Sequence, residues 1–167
     1  MKRIWAPWRM EYLTSNREEG CIFCEKAAEN RDRENYLLYR GQSSYILLNL
    51  YPYSNGHLMV APYQHVASLE DLEPQVLTEL MLLVNTSLRL LRRALKPHGF
   101  NVGVNIGKAA GAGFVDHVHI HIVPRWEGDT NFMPTLAETR IIPELLDETY
   151  EKLRVALQAL EEKPGEG

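Results

Sequence analysis

Apolar and polar positions along this chain change period several times, and the changes mark out its elements. From 117 to 123 the run His117-Val118-His119-Ile120-His121-Ile122-Val123 alternates strictly. Alternation of period two is the pattern of a strand. The run therefore predicts a strand with His117, His119 and His121 on one face and Val118, Ile120 and Ile122 on the other. Shorter apolar runs predict strands over 36–39, 44–50, 57–61 and 101–107. Turns at Gly41-Gln42 and Asn55-Gly56 separate the first three, and Pro62 ends the third. Between 74 and 96 the period becomes helical, through Leu77, Leu80, Met81, Val84, Leu88, Leu91 and Leu95. Pro74 suits the first turn, while Arg89, Arg92, Arg93 and Lys96 complement the dipole at the far end. Pro97 and Gly99 stop the helix. A second helix is predicted over about 141–160, with loops at 108–113 and 128–134.

The ends differ from this frame. Residues 1–20 carry Trp5, Trp8, Met10 and Tyr12 and read as an arm whose anchors pack on its own core or on a second subunit. Residues 161–167 read as a frayed polar tail. No internal repeat or linker composition divides the chain. The pattern predicts one domain over 1–167, of α+β class, with about five antiparallel strands and two main helices.

Composition narrows the picture. The chain has 167 residues, 45% of them hydrophobic, enough for a core without disulfide staples. A formal net charge of −4 argues against a general binder of nucleic acid or anionic membrane. No run of about 18 apolar residues predicts a membrane span. The first twenty residues lack a long apolar core, and the two cysteines, Cys21 and Cys24, are too few for a disulfide framework. A reducing cytoplasm is the expected setting.

The histidine run is where the chemistry concentrates. Imidazole titrates near neutrality and serves as nucleophile, base or metal ligand. Alternate strand residues lie roughly 7 Å apart, so His117 and His121 are separated by roughly 13 Å. All three cannot converge on one ion, although two neighbours could. The spacing therefore suits a division of labour. Just upstream, Gly107-Lys108-Ala109-Ala110-Gly111-Ala112-Gly113 has one large side chain, leaving backbone N–H groups open to an anion. Phosphate beside imidazole is the natural reading, although a flexible turn shares this composition.

The run resembles the histidine-triad signature, in which three histidines alternate with apolar residues and a further apolar residue closes the motif. The resemblance takes in Asn49, the turn Asn55-Gly56-His57 into Leu58-Met59-Val60-Ala61-Pro62, Asn105 and the glycine loop, roughly residues 21 to 126. The flanks Trp5-Ala6-Pro7-Trp8-Arg9 and Arg125-Trp126-Glu127-Gly128-Asp129-Thr130-Asn131-Phe132-Met133-Pro134 resemble the microbial diadenosine tetraphosphate phosphorylase-like branch of that family. The resemblance implies a histidine-triad fold whose sheets join in a homodimer, acting on a small nucleotide rather than on nucleic acid or membrane.

It implies two-step nucleotidyl transfer through a covalent nucleotidyl-histidine. His119 would attack the α-phosphorus of a dinucleoside polyphosphate, and His121 would contact the non-bridging oxygens. Asn49 would hold the ribose, and His57 would line the pocket. Asn105, Gly111 and Gly113 would surround the phosphates, with apolar side chains near Ile22, Phe23 and Leu48 about the base. Hydrolase members place Gln or Ser where Gly113 stands. That departure, with Trp126 shaping the site, points to inorganic phosphate as acceptor; Gly113 serving only a turn is the opposing reading. Other readings are a hydrolase releasing AMP with water, a hydrolase in which His117 and His119 chelate a catalytic ion, and an AMP-binding module with little turnover.

Cys21-Ile22-Phe23-Cys24 has the spacing of a zinc half-site. A redox pair or two buried thiols are the alternatives. The family resemblance implies that His65 and His117 complete a structural zinc site, leaving His119 and His121 for chemistry. His98 reads as a surface residue without a role.

Overall fold

The computed structural model describes residues 20–129, 142 and 144–162. Helix α1 spans Ile22–Ala28, followed by β1 at Leu37–Arg40, β2 at Ser44–Leu48 and β3 at Leu58–Pro62. A 3-10 turn at Leu69–Asp71 leads into α2, Pro74–Leu95. Then come β4 at Gly99–Val104, a second 3-10 turn at Lys108–Ala110, β5 at Ile120–Arg125 and α3 at Leu146–Glu162. The strands form one five-stranded sheet in the order β1-β2-β3-β5-β4, with every described pairing antiparallel. The α+β class and the strand count match the expectation.

Strand alternation sorts the core into two layers. Ile46 and Leu48 of β2, Leu58 and Val60 of β3, and Ile120 and Ile122 of β5 face one way. They pack beneath Leu80, Leu83, Val84, Leu90 and Leu91 of α2 and Tyr150, Leu153 and Leu157 of α3. Tyr45, Leu47, Met59 and Ala61 face the other way and close over Phe23 of α1. β2 and β3 are thus buried on both faces, which explains their nearly continuous apolar sequences.

Several boundaries differ from the sequence reading for local reasons. The histidine run has the expected facing, but ladder pairing begins only at Ile120, opposite Val60 and Val104. β2 stops at Leu48 because the Asn49 side chain accepts the Tyr51 N–H at 2.9 Å and turns the chain. Helix α2 starts with Pro74 in its first turn and ends at Lys96, which adopts a left-handed φ of 49°. Its buried stripe runs through Leu83, Ser87 and Leu90, while Met81, expected inward, is 55% exposed. Helix α3 begins later than expected and keeps Glu161 and Glu162 helical rather than in the tail. Helix α1 was not anticipated: its 7 residues are too few for a periodic signal.

The arm with Trp5 and Trp8, the segment 130–134 and residues 163–167 lie outside the described residues. Among the described residues no helix is long and apolar enough to cross a membrane.

Candidate functional site

The five-residue pairing of β2 with β3 fixes the floor on which the histidines stand. His121 lies opposite Met59 of β3 and Gly103 of β4. A Cβ built on Gly103 meets nothing within 4 Å, so there is open space beside His121 at this point of the sheet. Phe23, 1% exposed, lies against both upstream histidines, with ring centroids 5.1 Å from His117 and 4.6 Å from His119. The next ring contact, His119 to His121, is 4.7 Å.

Each imidazole has a different partner, and the partners decide where its proton sits. His117 is 1% exposed, and its Nε2 lies 2.9 Å from the Pro62 carbonyl oxygen. A carbonyl only accepts, so Nε2 carries the proton and Nδ1 keeps its lone pair. That Nδ1 lies 3.3 Å from Cys21 Sγ and 3.5 Å from Cys24 Sγ. An unpartnered polar group at this depth would cost about 1–3 kcal/mol. Neither nitrogen of His117 is left in that state.

His119 is 6% exposed and its Nδ1 lies 2.9 Å from the His117 carbonyl oxygen. The same argument puts the proton on Nδ1 and leaves Nε2 with a lone pair. Burial lowers the His119 pKa, the His117 carbonyl partly opposing it. At neutral pH the ring is therefore neutral and nucleophilic.

His121 receives its assignment from a chain of bonds. The Tyr53 N–H donates to His57 Nδ1 at 3.1 Å, so His57 carries its proton on Nε2. His57 Nε2 lies 3.0 Å from His121 Nδ1 and donates to it. His121 consequently holds its own proton on Nε2, available to an incoming anion. Burial, and then the neighbouring His119, hold the His121 pKa down to about 4. His57 itself is fully buried, with the Asn49 side-chain amide 3.4 Å from its Nδ1.

Around this row the other candidates fall unevenly. Asn49 is half-buried at the end of β2, within the His57 network. Asn105 follows Val104, which pairs with Ile120, so it stands beside the histidine run. The glycine loop is less open than its composition implied. The Ala110, Gly111 and Ala112 N–H groups bond internally to Gly107 and Lys108 carbonyls, which removes them from any anion. Gly107 and Gly111 have φ of 80° and 84°, the left-handed region that favours glycine, whereas Gly113 lies outside it. Trp126 follows β5, five residues beyond His121 and so roughly 16 Å along the chain.

Three readings need correction. Phe23 and Leu48 are each 1% exposed and locked in the two core layers, so neither offers a surface to a base. His117 points its lone pair at the thiols while His119 Nδ1 faces a carbonyl, which does not suit a shared catalytic ion. His98 has a role after all: its Nδ1 accepts the Glu127 N–H at 2.9 Å and its own N–H reaches the Arg125 carbonyl. It pins the loop after β5 to the start of β4.

Ligand atoms of Cys21, Cys24, His65 and His117 all lie within 4.8 Å of one another. Cys24 Sγ is 3.4 Å from His65 Nδ1. A tetrahedral ion with bonds of about 2.3 Å to sulfur and about 2.0 Å to nitrogen sets sulfur and nitrogen about 3.5 Å apart. The donors therefore fit a metal ion of that kind. Without one, burial and then Cys21 raise the Cys24 thiol pKa to about 11; a cation would oppose both effects.

The chain is similar to known proteins. Residues 30–128 match the HIT domain model. An AP-4-A phosphorylase from Mycobacterium tuberculosis (strain ATCC 25618 / H37Rv) is 40% identical, covering 89% of this chain and 80% of that protein. A bis(5'-nucleosyl)-tetraphosphatase (asymmetrical) from Schizosaccharomyces pombe is 36% identical, over 56% of this chain and 50% of its own length. The crystal structure of a Zn-bound histidine triad family protein from Mycobacterium smegmatis superposes with a TM-score of 0.69 at 29% identity, covering 86% of this chain and 96% of that one. With the histidine row, its Cys/His cluster and these matches in hand, the chain belongs to the HIT family.

Proposed function

We propose that this chain cleaves dinucleoside polyphosphates such as diadenosine tetraphosphate by transferring a nucleotidyl group through His119 to inorganic phosphate. The observation that carries this reading is the His119 tautomer, with Nδ1–H on the His117 carbonyl and a lone pair left on Nε2. In the first step that lone pair attacks the α-phosphorus. The P–O bond to the rest of the polyphosphate breaks, and its electron pair leaves with the departing nucleotide. The imidazole becomes cationic while its Nδ1–H stays on the carbonyl, which stabilises the charge. His121 Nε2–H contacts a non-bridging oxygen. In the second step an acceptor oxygen attacks phosphorus, and the P–N bond returns its electrons to His119.

Asn49 would take the ribose hydroxyls, with His57 holding His121 in its tautomer. Asn105, Gly111 and Gly113 would flank the phosphates. The lack of a side chain at Gly113, which is exposed, supports an acceptor larger than water, as does similarity to the mycobacterial phosphorylase. Trp126 would help to shape the site for that acceptor.

The Cys21, Cys24, His65 and His117 cluster would hold zinc, which the sulfur-to-nitrogen spacing and the Zn-bound relative support. When bound, the ion supplies a fixed crosslink between α1, the chain after β3 and the histidine run. A reducing cytoplasm would keep both thiols available as ligands. A homodimer is also proposed. β4 is an edge strand carrying Val102 at 47% exposure, and Met81 and Leu82 of α2 are 55% and 57% exposed, apolar surface that a second copy would cover.

The test is product analysis with diadenosine tetraphosphate, with and without phosphate. ADP plus ATP formed only with phosphate is the expected result. AMP plus ATP at equal rates under both conditions would make water the acceptor, and no cleavage would remove the reading.

A further inference from the structure

In α2 the hydroxyls of Thr78, Thr86 and Ser87 each donate to the carbonyl four residues back in their own helix. Thr149 of α3 is buried, yet its hydroxyl is turned out of the helix, 2.9 Å from Asn55 Oδ1 and 2.7 Å from Glu144 Oε2. Asn55 Nδ2 lies 3.3 Å from the same Glu144 oxygen. Burial pushes the Glu144 carboxyl up, but hydrogen bonds from Lys152, Thr149 and Asn55 outweigh it and hold the group below its usual range. An ionised carboxylate only accepts, so Asn55 turns its NH2 to Glu144 and its carbonyl oxygen to Thr149. The turn between β2 and β3 is thus bonded to a buried point of the terminal helix, 94 residues away in sequence.

The turn held in this way is the one that sets the reactive row. Gly56, next to Asn55, has a φ of 74°, and a Cβ there would collide with Leu95 Cδ1, so the turn sits directly on α2. The Ser54 hydroxyl donates to the Pro124 carbonyl at 2.7 Å, and the His57 N–H donates to the Ser54 carbonyl at 3.2 Å. From this turn the Tyr53 N–H reaches His57 Nδ1, the bond from which the tautomers of His57 and then of His121 follow. We infer that Asn55 is a positioning residue for His121: clamped by Thr149 and Glu144, its side chain keeps the turn where the Tyr53 N–H meets His57, and so keeps a proton on His121 Nε2. Asn55 acts through His57 and touches no reacting atom. A donor that is slightly misplaced, or that carries its proton on the wrong nitrogen, costs rate more than affinity. The inference rests on the reading that His121 contacts a substrate phosphate.

The test uses the full chain and two readouts: the His121 tautomer, from imidazole nitrogen shifts in 1H–15N NMR spectra, and kcat and KM for diadenosine tetraphosphate. Asn55→Ala should lower kcat about tenfold with KM within about threefold, and the His121 signals should move from a fixed Nε2–H form towards a mixture. The double variant Asn55→Asp/Glu144→Gln exchanges donor and acceptor across the same bond, and should return kcat to within about twofold together with the fixed tautomer. Should Asn55→Ala not fold, Thr149→Val, which keeps the shape and loses the hydroxyl, should show both changes in the same direction. Tautomer signals that stay fixed in the folded variants, whatever happens to kcat, overturn the positioning role, as does a double variant that recovers neither readout. Wild-type protein that shows the fixed tautomer but leaves diadenosine tetraphosphate uncut overturns the functional reading instead, since the NMR comparison needs no substrate.

Discussion

His117 and His121 begin as the same residue in the same repeat, four positions apart on one face of one extended segment. At its upstream end His117 donates a hydrogen bond to a main-chain carbonyl and turns a lone pair toward two thiols. Downstream, His121 Nδ1 accepts a hydrogen bond from His57 Nε2–H and turns an N–H outward. One end is built to grip a cation, the other to greet an anion. His119 lies between them, sharing Phe23 with the first and a ring contact with the second. Identical side chains diverge because each meets different backbone and loop partners, and those partners come from distant parts of the chain.

Breaking the upstream end should produce the larger change. Cys21→Ser removes one of four donors, and zinc content measured by atomic absorption should fall from about one per chain to below about a tenth. The thermal midpoint should drop by at least about 5 °C, since the bond between α1 and the histidine run is lost. Turnover of the folded fraction should stay within about fivefold, because neither reactive nitrogen touches the thiols. Unchanged metal content would erase the contrast between the two ends.

A smaller effect sharpens the downstream end. Unfolded, His121 takes a proton near 6.5; folded, burial and then His119 hold it off until about 4. Between these values the unfolded chain binds more protons, so this contribution to stability is complete above about 6.5 and disappears as pH falls towards 4. The thermal midpoint followed by circular dichroism should decline across that window, and His121→Gln should flatten the decline by a few degrees. Parallel curves for the two proteins would mean that His121 is not held neutral by its surroundings.

How much of this the sequence displayed varies with the range of the interaction. The facing of the three histidines follows from alternation alone, and the extent of α2 follows from its period and Pro74. The close approach of Cys21 and Cys24 to His117 spans more than ninety residues, and no local pattern encodes it; only likeness to a family suggested it. Phe23 misled for the same reason. An apolar residue near a site can as well be the floor as the wall, and only the packing of α1 under β2 and β3 decides. The glycine loop showed a related limit, since composition does not reveal which N–H groups its own turn consumes.

The most direct test of the central claim stops the reaction of wild-type protein with diadenosine tetraphosphate within the first turnover and maps the protein by mass spectrometry. The account predicts one AMP per site, acid-labile and attached to the His119 peptide, with His119→Ala giving no adduct and turnover reduced by about 10⁴-fold. An adduct on any other residue, or full-speed cleavage without one, would contradict it.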